Sequence, residues 1–397
     1  MRWSARCCAT RAARRCWKRS RWTGGGRAPR GRANPRAPWS RGGGTTTPPP
    51  LQTRELIRAF ATWFQVVNLA EKVHRIRRRR EYLIRSDRPQ PGGIGDCLFR
   101  LKAAGVTAEE VLGLLAGLTI YPVFTAHPTE STRRSILRNQ QRIATLMMQR
   151  LSTTLTPGER RALIERIRFE VTAGWQTQEH PRERLTVADE REHVLFYLVE
   201  VIYRVVPALY EEIEFWLGHV YEVAPGSVAL PGVLRFGTWV GGDMDGNPDV
   251  HAKTLRETLH RHQRLIISTY YEECLSLASK LSQSESRISV DRELEQRIAE
   301  YNTLLPPGPQ LAPGRHDRMP YRIFLGQLAE RLRLTYDGHP NHYEDAAAFV
   351  ADLERVAASL RAHRGQHAGL FLLERLLRRA RTFGFHLATL DVRQHAA

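Results

Sequence analysis

Acidic residues are missing from the first fifty positions, where thirteen Arg and Lys stand without one Asp or Glu. Helical and strand periodicity are missing there too, which excludes a packed core for residues 1–50. Their composition leaves three readings: a transit peptide, which lacks its apolar helical stripe; a basic arm for a polyanion such as RNA, with Trp interleaved; and a disordered or misassigned start, which the composition favours. The whole chain has a formal charge of +19, so the other 347 residues keep only +6. A fold basic throughout is thereby excluded, and nucleic acid is not the expected partner. Cysteine is equally scarce. Of five, Cys7, Cys8 and Cys16 lie in that first segment, and Cys97 and Cys274 stand far apart with no CxxC spacing. This excludes a disulfide framework and fits a reducing, cytoplasmic compartment. Long apolar runs are absent as well. The longest, Leu195 to Val206, is interrupted by Glu200 and Arg204 and followed by Pro207, so no membrane span is expected.

From Leu51 onward the texture is that of an ordinary globular chain. Leu56, Phe60, Trp63, Val67, Ala70 and Val73 recur at three- and four-residue spacing and predict one buried helix face. The helix runs into Arg77–Arg80, which reads as a solvated end suited to the negative helix C-terminus. Thr107 with Glu110, and Thr186 with Asp189, have the spacing of capping boxes. The second opens an apolar helix expected to end near Trp216.

Three short apolar runs read as buried strands: Leu118 to Thr125, Leu234 to Val240 and Phe383 to Val392. A polar cluster follows each, and long helical stretches separate them. After the first, a helix is expected from Pro128, with Ile136, Ile143, Met147 and Leu151 as its buried stripe. The pattern predicts a predominantly helical α/β fold, a partial (β/α)8 TIM-type barrel of about three strands with large helical insertions. In that architecture the chemistry sits at the carboxyl ends of the strands, where His127, the Gly241 to Pro248 turn and Arg393 fall.

Each cluster has a bland reading beside the chemical one. A lone histidine after a strand is more often structural than catalytic. Thr125 shares the strand parity of His127, however, and the next helix start offers free N–H groups with Arg133 and Arg134 beside it. Those arginines either hold an anion or pair with Glu130 and solvent. Asp243, Asp245 and Asn247 alternate as calcium ligands do. The loop fails as a calcium site, because Pro248 stands where Gly is needed and Thr254 where Glu is needed. Gly241 and Gly242 read as turn glycines, and the carboxylates as groups that orient nearby cations. Arg393 is a permanent cation suited to bidentate phosphate binding, or else the partner of Asp391 in a surface pair. His260 and His262 share no helix face, and no metal site is assigned in the chain.

Taken in order, the motifs resemble one family. VFTAHPTESTRRS (Val123 to Ser135), FGTWVGGDMDGNP (Phe236 to Pro248) and FGFHLATLDVRQH (Phe383 to His395) are similar to successive signatures of phosphoenolpyruvate carboxylases. NLAEKVHRIRRRRE (Asn68 to Glu81), WQTQEHPRERLTVADE (Trp175 to Glu190) and YRIFLGQLAERLRLT (Tyr321 to Thr335) agree, so the resemblance covers residues 51–397.

The resemblance implies a (β/α)8 barrel with added helices, assembled as a homotetramer that uses bicarbonate and a divalent metal, Mg2+ or Mn2+. It implies conversion of phosphoenolpyruvate and bicarbonate to oxaloacetate and phosphate, with His127 as the first active-site histidine and Arg393 on the phosphate. Met244 departs from the pattern, which commonly has Arg there, and Gln178 stands where Asp is common. The family's catalytic lysine, metal-binding carboxylates, second histidine motif and Gly- and Arg-rich loop follow the third strand, so the 397 residues alone are expected to be inactive and unstable. The other class of function is a non-catalytic binding or regulatory protein on the same helices, with residues 1–50 as a basic arm.

Overall fold

The computed structural model describes residues 50–85, 89–126, 132–179, 185–224, 226–245, 247–306 and 317–394, and Leu56–Ala397 is one compact unit. In chain order come α1 (Pro50–Ile84), α2 (Ile94–Ala103), α3 (Ala108–Gly117), β1 (Val123–Phe124), α4 (Arg134–Gln149), α5 (Pro157–Gln176) and α6 (Val187–Tyr197). A π turn, Leu198–Ile202, joins α6 to α7 (Tyr203–Tyr221). Then follow β2 (Gly237–Thr238), α8 (Ala252–Lys280), α9 (Arg292–Leu304), α10 (Pro320–Asp337), α11 (Ala346–Ala362), α12 (Leu370–Phe383) and β3 (Thr389–Leu390).

Local chemistry fixes most helix starts. Thr107 and Thr186 form the expected capping boxes with Glu110 and Asp189, and Thr156 forms another with Glu159 ahead of Pro157. His251 caps α8 through its ring, and Asp345 caps α11 through its carboxylate. The π turn lies just ahead of Pro207, whose missing N–H the helix must accommodate. Val187–Tyr221 therefore runs on past Trp216 and, among the described residues, is the one helix long and apolar enough to cross a membrane. Leu195, Leu198, Tyr203, Val206, Tyr210, Trp216 and Leu217 of this helix are buried in the core, which accounts for its apolar character.

The strands pair in parallel in the order β1-β2-β3, with Val123 opposite Gly237 opposite Thr389. Isolated bridges extend the ladder, Ile120 to Leu234 below and Asp243 to Arg393 above. One face of the sheet packs on helices: Phe236, Thr238 and Val240 are buried, and Phe236 stacks on Phe383. The opposite face carries Tyr121, Val123, Trp239, Thr389 and Asp391, which are half-buried or exposed.

Three expectations are corrected. Phe383 ends α12 and does not open the third strand, because the chain turns through Gly384 and Leu387, both at positive φ, before β3. The described helix after β1 is Arg134–Gln149, and Pro128, where the start was expected, lies outside the described residues; the helix buries Ile136, Ile143 and Leu146, with Met147 half-buried and Leu151 beyond its end. Of the expected stripe of α1 only Val73 is buried, while Leu56, Phe60, Trp63, Val67 and Ala70 stay exposed; Leu69, outside that stripe, is buried as well. The arginines that follow are exposed as expected, though Arg79 reaches across to Glu212 on α7.

A buried polar knot ties the helices around α11. Asp352 is fully buried; it accepts from Arg355 at 2.8 Å, Arg297 at 3.2 Å and the hydroxyl of Tyr343 at 2.9 Å, and also from Tyr301. Arg331 stacks 4.2 Å over the Tyr343 ring. A carboxylate removed from water is tolerable only with such company. Asp352→Asn leaves the arginines without their shared counter-charge, and urea unfolding is expected to show a loss of about 3–5 kcal/mol.

Candidate functional site at the strand ends

The polar groups gather where β2 and β3 end. Two glycines make this approach possible. Gly241 has φ +86°, and a Cβ there would lie 2.4 Å from Oγ1 of Thr258. Gly242 lies against β3: a Cβ would come within 2.4 Å of the Asp391 carbonyl oxygen. The backbones then exchange hydrogen bonds beyond the strands, Arg393 N–H to the Gly242 carbonyl at 3.0 Å and Met244 N–H to the Arg393 carbonyl at 2.8 Å.

This brings Arg393 to the turn. Its NH1 donates to Oδ2 of Asp243 at 3.1 Å, its NH2 stands 3.9 Å from Oδ2 of Asp245, and its guanidinium lies 4.2 Å over the Trp239 ring. The carboxylates thus orient a cation, as their pattern predicts, and the aromatic face adds a third constraint. Arg393 keeps 41% of its side chain exposed. Asn247 serves its own turn, its Oδ1 accepting from Asp249 N–H at 3.1 Å.

Asp391 does not pair with Arg393. Its Oδ1 accepts instead from the Tyr121 hydroxyl at 3.2 Å, and the Tyr121 ring crosses the middle strand at Gly237, where a Cβ would lie 2.4 Å from that hydroxyl. The next side chain of like orientation is two residues on and 3.3 Å per residue further along the strand, which separates the two groups.

His127 and Gly246 lie outside the described residues, as does Glu130. Arg133 and Arg134 are described and sit at the start of α4. Arg133 has an exposed side chain, and its backbone N–H donates to the Glu179 carbonyl at 3.2 Å. Arg134 donates to Oε2 of Glu192 at 2.8 Å. Glu192 also takes a two-pronged bond from Arg261, at 2.6 and 2.9 Å. One carboxylate on α6 therefore joins the helix after β1 to the helix after β2. Neither Glu192, Trp239 nor Tyr121 was picked out from sequence. Trp239 had a usable signal, since it alternates with Phe236 to Val240 in a run already read as a strand.

Among the described residues no group of three His, Cys, Asp or Glu could hold a metal ion. Asp243 and Asp245 face the guanidinium of Arg393, so these residues do not fit a divalent cation.

The arrangement is an α/β fold with its charged groups at the carboxyl ends of adjacent parallel strands. The model of the family described as phosphoenolpyruvate carboxylase matches residues 49–397. The phosphoenolpyruvate carboxylase of Xanthomonas euvesicatoria pv. vesicatoria is 48% identical over 350 residues, 88% of this chain and 38% of that protein. That of Nitrosomonas europaea is 37% identical over 357 residues, covering 87% and 37%; that of Burkholderia vietnamiensis is 36% identical over 365 residues, covering 87% and 35%. The chain belongs to the phosphoenolpyruvate carboxylase family. It spans well under half the length of these relatives.

The Glu192 clamp has a pH signature. Arg261 and then Arg134 hold its carboxyl down to about 2, against an ordinary 4.5 and against the opposing effect of burial. A depressed folded value means that the clamp's stabilisation is complete above about pH 4.5 and is lost as the pH falls toward 2. Thermal melts of wild type and Glu192→Gln are expected to differ by a constant amount above pH 5 and to converge toward pH 2.

Proposed function

We propose that this chain forms the phosphate-holding part of a phosphoenolpyruvate carboxylase, which converts phosphoenolpyruvate and bicarbonate to oxaloacetate and phosphate. The observation that supports this reading best is Arg393, half exposed at the end of β3 and aimed by Asp243 and Trp239. The strand that leads to His127 lies two places away, with β2 between. The three parallel strands are read as the first staves of a (β/α)8 barrel, their carboxyl ends toward the substrate.

In the reaction the ester P–O bond of phosphoenolpyruvate breaks as a bicarbonate oxygen takes the phosphoryl group. Carboxyphosphate and the pyruvate enolate result. Carboxyphosphate then releases CO2 and phosphate, and the enolate carbon attacks CO2 to give oxaloacetate. Charge concentrates on the phosphoryl oxygens throughout, and the guanidinium of Arg393 is a fixed cation to meet it. His127 is assigned the proton of the carboxyphosphate intermediate. Gly241 and Gly242 hold the turn, and Asp243 and Asp245 orient Arg393. Met244 supplies a thioether where the family pattern commonly has a guanidinium, so this site is assigned one cation fewer. The Mg2+ or Mn2+ of the family, the homotetramer and the cytoplasmic location belong to the same reading.

Because the chain corresponds to 38% of its relatives' length, the reading gives it part of the site and not the whole. Phosphoenolpyruvate is expected to bind the 397-residue chain saturably in calorimetry, with Arg393→Gln weakening it by about tenfold or more. No oxaloacetate is expected from the chain alone when NADH oxidation is coupled through malate dehydrogenase. Unchanged binding by Arg393→Gln would remove the phosphate role, and turnover by the chain alone would remove the division of the site.

A further inference from the structure

The hairpin of α4 and α5 encloses a groove of about 520 Å³ that the carboxylation reading leaves unused. Its base is a satisfied ion pair. Glu170, 8% exposed, accepts from Nε and NH2 of Arg142 at 2.7 and 3.0 Å and from Nδ2 of Asn139 at 2.7 Å. Both of its oxygens are occupied, and Arg142 holds its carboxyl below the usual carboxylate range. No other acidic side chain lines the groove.

The remaining charge is all of one sign. Arg138, one turn before Arg142, and Arg166, one turn before Glu170, line the same groove. Among the described residues neither makes a hydrogen bond or an ion pair. Arg166 lies in the field of Glu170 and helps to hold its carboxyl down, but three guanidinium groups around one carboxylate still leave an excess of positive charge in a concave site. Fork-shaped donors of this kind suit the oxygens of a phosphate. Phe169 lines the groove too, with Leu146, and is 67% exposed, a ring left largely in water. Such a ring offers a stacking face to a flat ligand. The volume falls in the range of small-molecule sites, about 300–1,000 Å³.

We propose that the α4–α5 groove is a binding site for a nucleoside monophosphate, its phosphate between Arg138 and Arg166 and its base on Phe169. The site is separate from the strand ends and does not rest on the carboxylase reading. Arg138, Arg166 and Phe169 are exposed, so substituting them leaves the helical core untouched.

Adenosine 5′-monophosphate and inorganic phosphate, titrated separately into the full 397-residue chain by calorimetry, test the assignment. Wild type is expected to bind the nucleotide saturably. The double variant Arg138→Gln/Arg166→Gln is expected to lose about tenfold or more in affinity for both probes, with unchanged circular dichroism. Phe169→Ala is expected to weaken the nucleotide several-fold and leave inorganic phosphate as it was. Arg393→Gln, which touches only the strand ends, is expected to leave nucleotide binding intact; its effect on phosphoenolpyruvate is read independently. Absence of saturable nucleotide binding, or binding that survives the double arginine variant, overturns the site. Equal loss of both probes in Phe169→Ala overturns the stacking of the base.

Discussion

Arg393 meets Asp243 only because nothing larger than hydrogen stands at position 242. The backbone of β3 passes so close to the turn after β2 that a methyl group there would overlap the Asp391 carbonyl. Relieving that overlap would part the Gly242 and Met244 hydrogen bonds that carry the ladder beyond the strands. The ion pair, the stacking on Trp239 and the aim of Arg393 all follow from this close approach. A two-residue strand has little hold of its own, so the register rests on the bridge above and on Phe236 packed against Phe383 below.

Much of this was legible in the chain. The three apolar runs contain the three strands, and both capping boxes foreseen from sequence are present. The glycines at 241 and 242 announced a tight turn, and the structure adds the close approach of β3 to it. What escaped was every partner chosen by tertiary geometry. Asp391 and Arg393 share a strand face by parity, yet Asp391 bonds to Tyr121 across a glycine and Arg393 turns to the neighbouring loop. Arg134 reads as an anion ligand by its place at a helix start; the acid that engages it stands 58 positions later on another helix. Spacing along a chain carries no information about such pairs.

The apolar stripe of α1 shows the limit of periodicity in the other direction. Leu56, Phe60, Trp63 and Val67 lie on one helix face, as their spacing requires, but that face is exposed. Periodicity identifies a face with a preference for burial, and whether the preference is met depends on what the rest of the fold brings to it. The charge reads similarly. Some arginines on the folded body have an acid of their own, as Arg79 has Glu212 and Arg379 has Glu273, and others share one, as Arg134 and Arg261 share Glu192.

Residues 243 and 393 are separated by 150 positions and share one ion pair. Genetic drift at either therefore changes the worth of the other: neutralising the acid frees a guanidinium to swing from the indole, and removing the base sets two carboxylates facing each other across a turn. Lineages that alter one partner are under pressure to alter the second, and an exchange of gene segments with a breakpoint between them would inherit half of a matched pair.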